Sequence, residues 1–126
     1  MDERRENVLL NFSLYMSKLK NLPSFREKKR YIIYEVISNS KMNFDLVKDA
    51  LNGIFERFLG AVNLARANII IFEDFKNQKG IIKVNNSYID YVKAAFTQIN
   101  KIGNEEVIVR SAGISGILNK AKERYF

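Results

Sequence analysis

A chain of 126 residues fits one domain, because folded chains of this size bury roughly two-thirds of their extended surface around a single core. Its 47% apolar content, with nine Phe and six Tyr, can fill that core, while the absence of Cys and His excludes disulfides, thiolate metal sites and imidazole-based acid–base catalysis. The net charge of +7 is clustered: residues 18–30 carry six basic side chains against one acidic (net +5) and residues 91–126 carry six against three (net +3), the footprint of a polyanionic partner. An acidic protein or an anionic membrane surface would attract the same charge. No apolar run approaches the ~20 residues of a membrane span, and Met1–Glu6 does not resemble the start of a signal peptide, so a cytoplasmic protein is expected.

Val8, Leu9, Phe12, Tyr15, Met16 and Leu19 recur at three- and four-residue spacing and predict an amphipathic helix over residues 4–20, closed by Leu22-Pro23-Ser24. Residues 31–37, Tyr-Ile-Ile-Tyr-Glu-Val-Ile, read as a strand without alternation, hence buried on both faces and central in a sheet. Within it Glu35 either snorkels to solvent or meets a Lys or Arg from a neighbouring element, a structural pair being favoured over an active-site acid. Ser40 or Asn43 can cap a helix with the stripe Phe44, Val47, Leu51, Ile54, Phe55, Phe58 and Leu59, and Gly60 falls just beyond its end. Strands over residues 68–75 and 80–85 follow, joined through Lys76-Asn77-Gln78-Lys79 as a hairpin. A helix over residues 87–98 then turns Tyr88, Val92, Ala95, Phe96 and Ile99 inward. Residues 106–111 form the last strand, and Ser115 caps a basic helix ending near Tyr125.

The order β-α-β-β-α-β defines an α+β fold, a ferredoxin-like or RRM-like α-β sandwich with a four-stranded antiparallel sheet and extra N- and C-terminal helices. The whole of residues 1–126 reads as one domain, with residues 1–21 an N-terminal helical extension and 22–126 the core. The strand Lys79-Gly80-Ile81-Ile82-Lys83-Val84-Asn85 has the opening pair of an RNA-recognition motif but not its aromatics, so base stacking on the sheet is disfavoured. Candidate phosphate contacts are Arg26, Lys28, Lys29 and Arg30 ahead of the first strand, Lys79 and Lys83 on the third, and Ser115, Gly116, Lys120 and Lys122 towards the C-terminus. Each group has a plainer reading, as a solvated basic loop, a hairpin strand, and a glycine turn with a helix cap. In the last segment, Gly113 to Gly116 can form a nest of free amides beside a helix start. The acids Asp45, Asp49, Glu56, Glu73, Asp74, Asp90, Glu105 and Glu106 form no recognised metal-ligand or paired-carboxylate motif.

Residues 22–38, Leu-Pro-Ser-Phe-Arg-Glu-Lys-Lys-Arg-Tyr-Ile-Ile-Tyr-Glu-Val-Ile-Ser, resemble the opening of the archaeal and eukaryotic ribonuclease P protein component 2 family. The resemblance continues through Phe58-Leu59-Gly60, Lys79–Asn85 with Tyr88, and Gly113–Ile117, with Val84 and Ile117 as mild departures. It implies an RNA-binding subunit of ribonuclease P, the endoribonuclease that removes the 5′ leader from precursor tRNA. The implied catalyst is the RNA, which holds Mg2+, so the protein itself would have no catalytic residue, metal or cofactor. The implied partners are ribonuclease P RNA, precursor tRNA, a TIM-barrel protein component 3 in two copies with two of this chain, and the other ribonuclease P proteins. The alternatives are a standalone carboxylate-dependent nuclease or a basic protein-interaction module. Apolar residues on both strand faces further predict that the lone chain self-associates or is poorly soluble.

Overall fold

The computed structural model describes residues 10–18 and 28–126. Residues 10–18 are helical (α1) and are followed by β1 (Lys29–Ser38), α2 (Phe44–Ala67), β2 (Ile70–Lys76) and β3 (Lys79–Asn85). A 3-10 turn at Asn86–Tyr88 leads into α3 (Ile89–Phe96), then β4 (Lys101–Ile102), β5 (Glu105–Ser115) and α4 (Leu118–Tyr125). The strands form one antiparallel sheet in the order β2-β3-β1-β5-β4. Without the two-residue β4, this is the four-stranded order of the split β-α-β fold, as the sequence predicts.

Strand β1 is central, paired to β3 on one side and β5 on the other, and it is buried on both faces. Ile32, Tyr34 and Val36 point into the main core with Val47, Leu51, Phe55, Val92 and Phe96 of α2 and α3. Ile33 points the other way, into a smaller core with Ile81 and Ala121 that is flanked by Tyr31, Phe72, Leu118, Tyr125 and Phe126. Helix α4 therefore covers part of the second face. In α1, by contrast, Leu10, Phe12, Leu14 and Tyr15 are exposed, and the remainder of the predicted helix lies outside the described residues. Ile37, Ile70 and Ile108 are also exposed on the sheet.

Asn43, not Ser40, caps α2, its Oδ1 accepting the Asp45 N–H at 2.8 Å. Ser40 instead donates its amide to Glu105 at 2.7 Å, and the Ser40 bonds hold that carboxyl below its ordinary range. The helix does not stop at Gly60: that residue adopts φ 76° and ψ 170°, and a second helical segment runs on to Ala67. A glycine accepts this left-handed angle, so the chain breaks direction there and resumes helix instead of ending. In the last turn before the kink the buried direction passes to Leu59, leaving Phe58 43% exposed despite its place in the stripe.

The β2–β3 hairpin turns on two residues, Asn77 (φ 54°) and Gln78 (φ 61°), the positive pair of angles that matches strand twist. Gln78 tolerates this because its side chain is anchored. Its Nε2 donates to the Val36 carbonyl at 2.9 Å, and its Oε1 accepts the Met42 N–H at 2.6 Å. The turn thus locks β3 to the start of α2.

Tyr34 is fully buried, and its hydroxyl has no hydrogen-bond partner among the described residues. Burial pushes that hydroxyl well above the ordinary tyrosine range. An unpaired buried hydroxyl costs about 1–3 kcal/mol. Tyr34→Phe is therefore expected to raise the urea midpoint of unfolding, by roughly 1 kcal/mol in stability. A lowered midpoint would show that the hydroxyl is bonded in solution.

Candidate nucleic-acid interface

The basic run enters the sheet at the start of β1. Arg26 lies outside the described residues, whereas Lys28 is exposed and Lys29 and Arg30 are half-buried. Strand register decides what they meet. Lys29 lies opposite Asn85, Arg30 opposite Val84, and Tyr31 opposite Lys83 on one side and Ser115 on the other. Lys29 Nζ donates to Asn85 Oδ1, which fixes that side chain at the sheet corner. The Arg30 guanidinium donates to the Lys29 carbonyl at 2.9 Å and approaches Gly116 so closely that a Cβ there would lie 3.4 Å from Nη1. Lys28, Lys29, Arg30, Lys83, Ser115 and Gly116 are thereby gathered at one end of the sheet.

Lys120 extends this end. With Ile114, Ser115, Glu123, Arg124 and Tyr125 it lines an open cleft of about 300 Å³ beside α4. Arg124 was not among the sequence candidates, although its spacing of four residues from Lys120 on a helix places both on one face. Two candidates stand elsewhere. Lys79 pairs across to Glu35, four strand steps and roughly 13 Å along β3 from Lys83. Lys122 binds Asp74 at 2.9 Å, and that hydrogen bond holds the Asp74 carboxyl below its ordinary range.

The predicted amide nest is not formed. Gly113, Ile114 and Ser115 belong to β5 and pair with Ile33, Ile32 and Tyr31, so long-range pairing with the ten-residue β1 claims the backbone that local composition marks as a turn. Gly113 is there for space, since a Cβ would stand 2.4 Å from the Tyr125 ring. Nor does Ser115 cap α4. Its Oγ accepts the Ile117 N–H at 3.1 Å, and Ile117, at the N-cap, offers no side-chain bond.

Some of the carboxylates have structural partners, Asp74 and Glu105 among them. Glu35 meets Arg110 at 3.3 Å, the structural pair that is one of its two expected outcomes, and Glu73 meets Lys48 at 3.4 Å. Among the described residues, no group of three or more Asp or Glu stands close enough to hold a metal ion. The arrangement can present several cations at separate positions to a polyanion, with Arg able to grip a phosphate in a fork and Lys acting as a point charge.

These features define a class: a small basic α-β sandwich with a cluster of cations at one end of the sheet. The model of the Rpp14/Pop5 family matches residues 30–126, and the chain belongs to that family. Ribonuclease P protein component 2 of Pyrococcus furiosus is 31% identical over 105 residues, covering 82% of this chain and 87% of that protein. The protein of the same name from Methanocaldococcus jannaschii is 29% identical over 109 residues, covering 85% and 80%. In fold, the chain is similar to a chain in the cryo-EM structure of yeast ribonuclease MRP, with a TM-score of 0.57 over 71% of this chain and 75% of that one at 12% identity.

Proposed function

We propose that this chain is a protein subunit of ribonuclease P, supporting an RNA catalyst that removes the 5′ leader from precursor tRNA in the cytoplasm. The observation that carries this reading is the similarity to ribonuclease P protein component 2 along nearly the full length of both proteins. The gathered cations supply the physics. Each phosphate they neutralise releases condensed counterions and lets RNA helices approach one another, which lowers the Mg2+ the RNA itself must hold. In this reading the protein positions RNA backbone and leaves water activation to RNA-bound metal.

Reconstitution tests it. The catalytic RNA with component 3 is expected to cleave precursor tRNA at lower Mg2+ when this chain is added, and equal cleavage without the chain would overturn the proposal. The purified chain alone, freed of RNA, is expected to cleave nothing. Magnesium-dependent cleavage by that preparation would favour a standalone nuclease instead.

The exposed Ile37, Ile70 and Ile108 are the part of this reading that concerns a protein partner. Component 3, in two copies with two of this chain, would cover such residues in an interface of at least about 1,000 Å². The lone chain is then expected to self-associate in sedimentation and to form a defined complex when component 3 is added. A monomer indifferent to component 3 would remove that partner.

A further inference from the structure

Beside the cation cluster, the sheet corner at Asn85 leads into a pair of tyrosines. The 3-10 turn and the first turn of α3 set Tyr88 and Tyr91 three residues apart, with ring centroids 5.1 Å apart and planes at 39°. Tyr88 is half-buried, and its hydroxyl reaches Asn63 Oδ1 at 3.4 Å. Tyr91 is 46% exposed. One ring is thus fixed against the protein and the other is offered to solvent.

The corner is rigidly connected to the basic strand. Asn86 donates its amide to the Lys28 carbonyl at 2.8 Å, Lys29 Nζ donates to Asn85, and Asn85 Nδ2 donates to the Arg66 carbonyl at 2.6 Å. From Asn86 to Tyr91 the rise is roughly 9 Å along the helical axis, a distance that a short single-stranded stretch can bridge. Lys93 follows on α3, and Asp90 is the only carboxylate of that helix, three residues from Lys93 at a spacing where opposite charges offset each other. Proteins that hold unpaired nucleic acid combine a basic track for the backbone with aromatic faces for the bases. The third strand offers Ile81 and Lys83 and no aromatic face, and the sheet's own aromatics on that side, Tyr31 and Phe72, are packed against each other and the small core under α4.

We infer that Tyr91, backed by Tyr88, stacks on an unpaired base of the RNA whose phosphates the basic end of the sheet holds. The inference rests on the RNA-binding reading and adds to it a preference for single-stranded over duplex RNA at this corner. The cations of the adjoining corner, where Lys28 and Lys29 bond Asn86 and Asn85, favour RNA over a protein contact.

The sequence contains no Trp, so Tyr91→Trp in the full chain supplies a single reporter. Its emission is expected to be quenched by single-stranded oligoadenylate and not by a duplex RNA of equal length. Tyr91→Ala is expected to weaken oligoadenylate binding roughly five- to a hundredfold, the range for losing one stacked base, while duplex affinity stays unchanged and Tyr91→Phe keeps both. If the wild-type chain binds both RNAs but Tyr91→Ala loses neither, or loses both equally, the stacking assignment is overturned and RNA binding stands. That result is also the one a protein-contact role for Tyr91 would give. If the wild-type chain binds neither RNA, the RNA-binding reading falls with it.

Discussion

Gly80→Ala is expected to destabilise the fold by about 3 kcal/mol, at the upper end of what overpacking a core costs. An ideal Cβ at this position would stand 2.2 Å from Tyr34 Oη, 2.3 Å from Cζ and 2.6 Å from Cε1. The ring has nowhere to go. It is fully buried between Phe75 and Phe96, at centroid distances of 6.4 and 6.2 Å, and Phe96 is backed in turn by Phe55 at 6.3 Å. Gly113→Ala meets the Tyr125 ring almost as closely, but Tyr125 is half-buried on the last helix, so α4 can lift and the cost should be smaller. Gly103→Ala is the control for backbone strain, because φ is 63° and nothing lies within 4 Å of the added atom. Its cost should be roughly 1–2 kcal/mol. Urea denaturation of the three variants checks the ranking, and an unchanged midpoint for Gly80→Ala would place the Tyr34 ring elsewhere.

The order of elements was legible because each long element carries its own period. An unbroken apolar run marked β1 as central, and the three- and four-residue spacing of Val47, Leu51, Ile54 and Phe55 marked the inner side of α2. What escaped was decided by distant partners. Lys101–Ile102 is too short to show a period and becomes a strand only through Glu105 and Glu106. Ala112, Gly113 and Ser115 are small, so this segment reads as a turn until β1 pairs with it. Gly60 carries the same signal for a helix end and for a kink, and only packing of the following segment separates the two.

The interface was legible to a lesser degree. Arg30 stood out because it closes a run of like charges, but its approach to Gly116 follows from the register of β5 on β1, which no local pattern encodes. Lys122 looked equivalent to Lys120 until the fold brought Asp74 of β2 within 2.9 Å of it. Tyr88 and Tyr91 sit at a visible three-residue spacing, yet the sequence assigned Tyr88 to the core side and was silent on Tyr91, whose exposure depends on how α3 packs on α2.

Removing Lys28, Arg30, Lys83 and Lys120 together, each as Gln, is expected to lower RNA affinity by about three orders of magnitude at 0.1 M salt. Each phosphate contact adds about 0.7–0.9 to the slope of log affinity against log salt, and extrapolated to 1 M salt its contribution vanishes. At 0.1 M each contact is therefore worth 0.7–0.9 of a decade, and four sum to about three decades with a slope shallower by about three units. The losses should be the same for RNAs of different sequence, because phosphate contacts position and do not read bases. Lys29 is left in place since it holds Asn85 at the corner. The comparison is Lys79→Gln with Lys101→Gln, which removes charge from the far end of β1, near the Glu35 and Ser38 pairings. If four phosphates bind at one end of the sheet, this double variant should change the slope little. A slope that falls by the same amount per charge at both ends would mean that the protein attracts RNA through its net charge alone, and the interface assigned to Lys28, Arg30, Lys83 and Lys120 would be wrong.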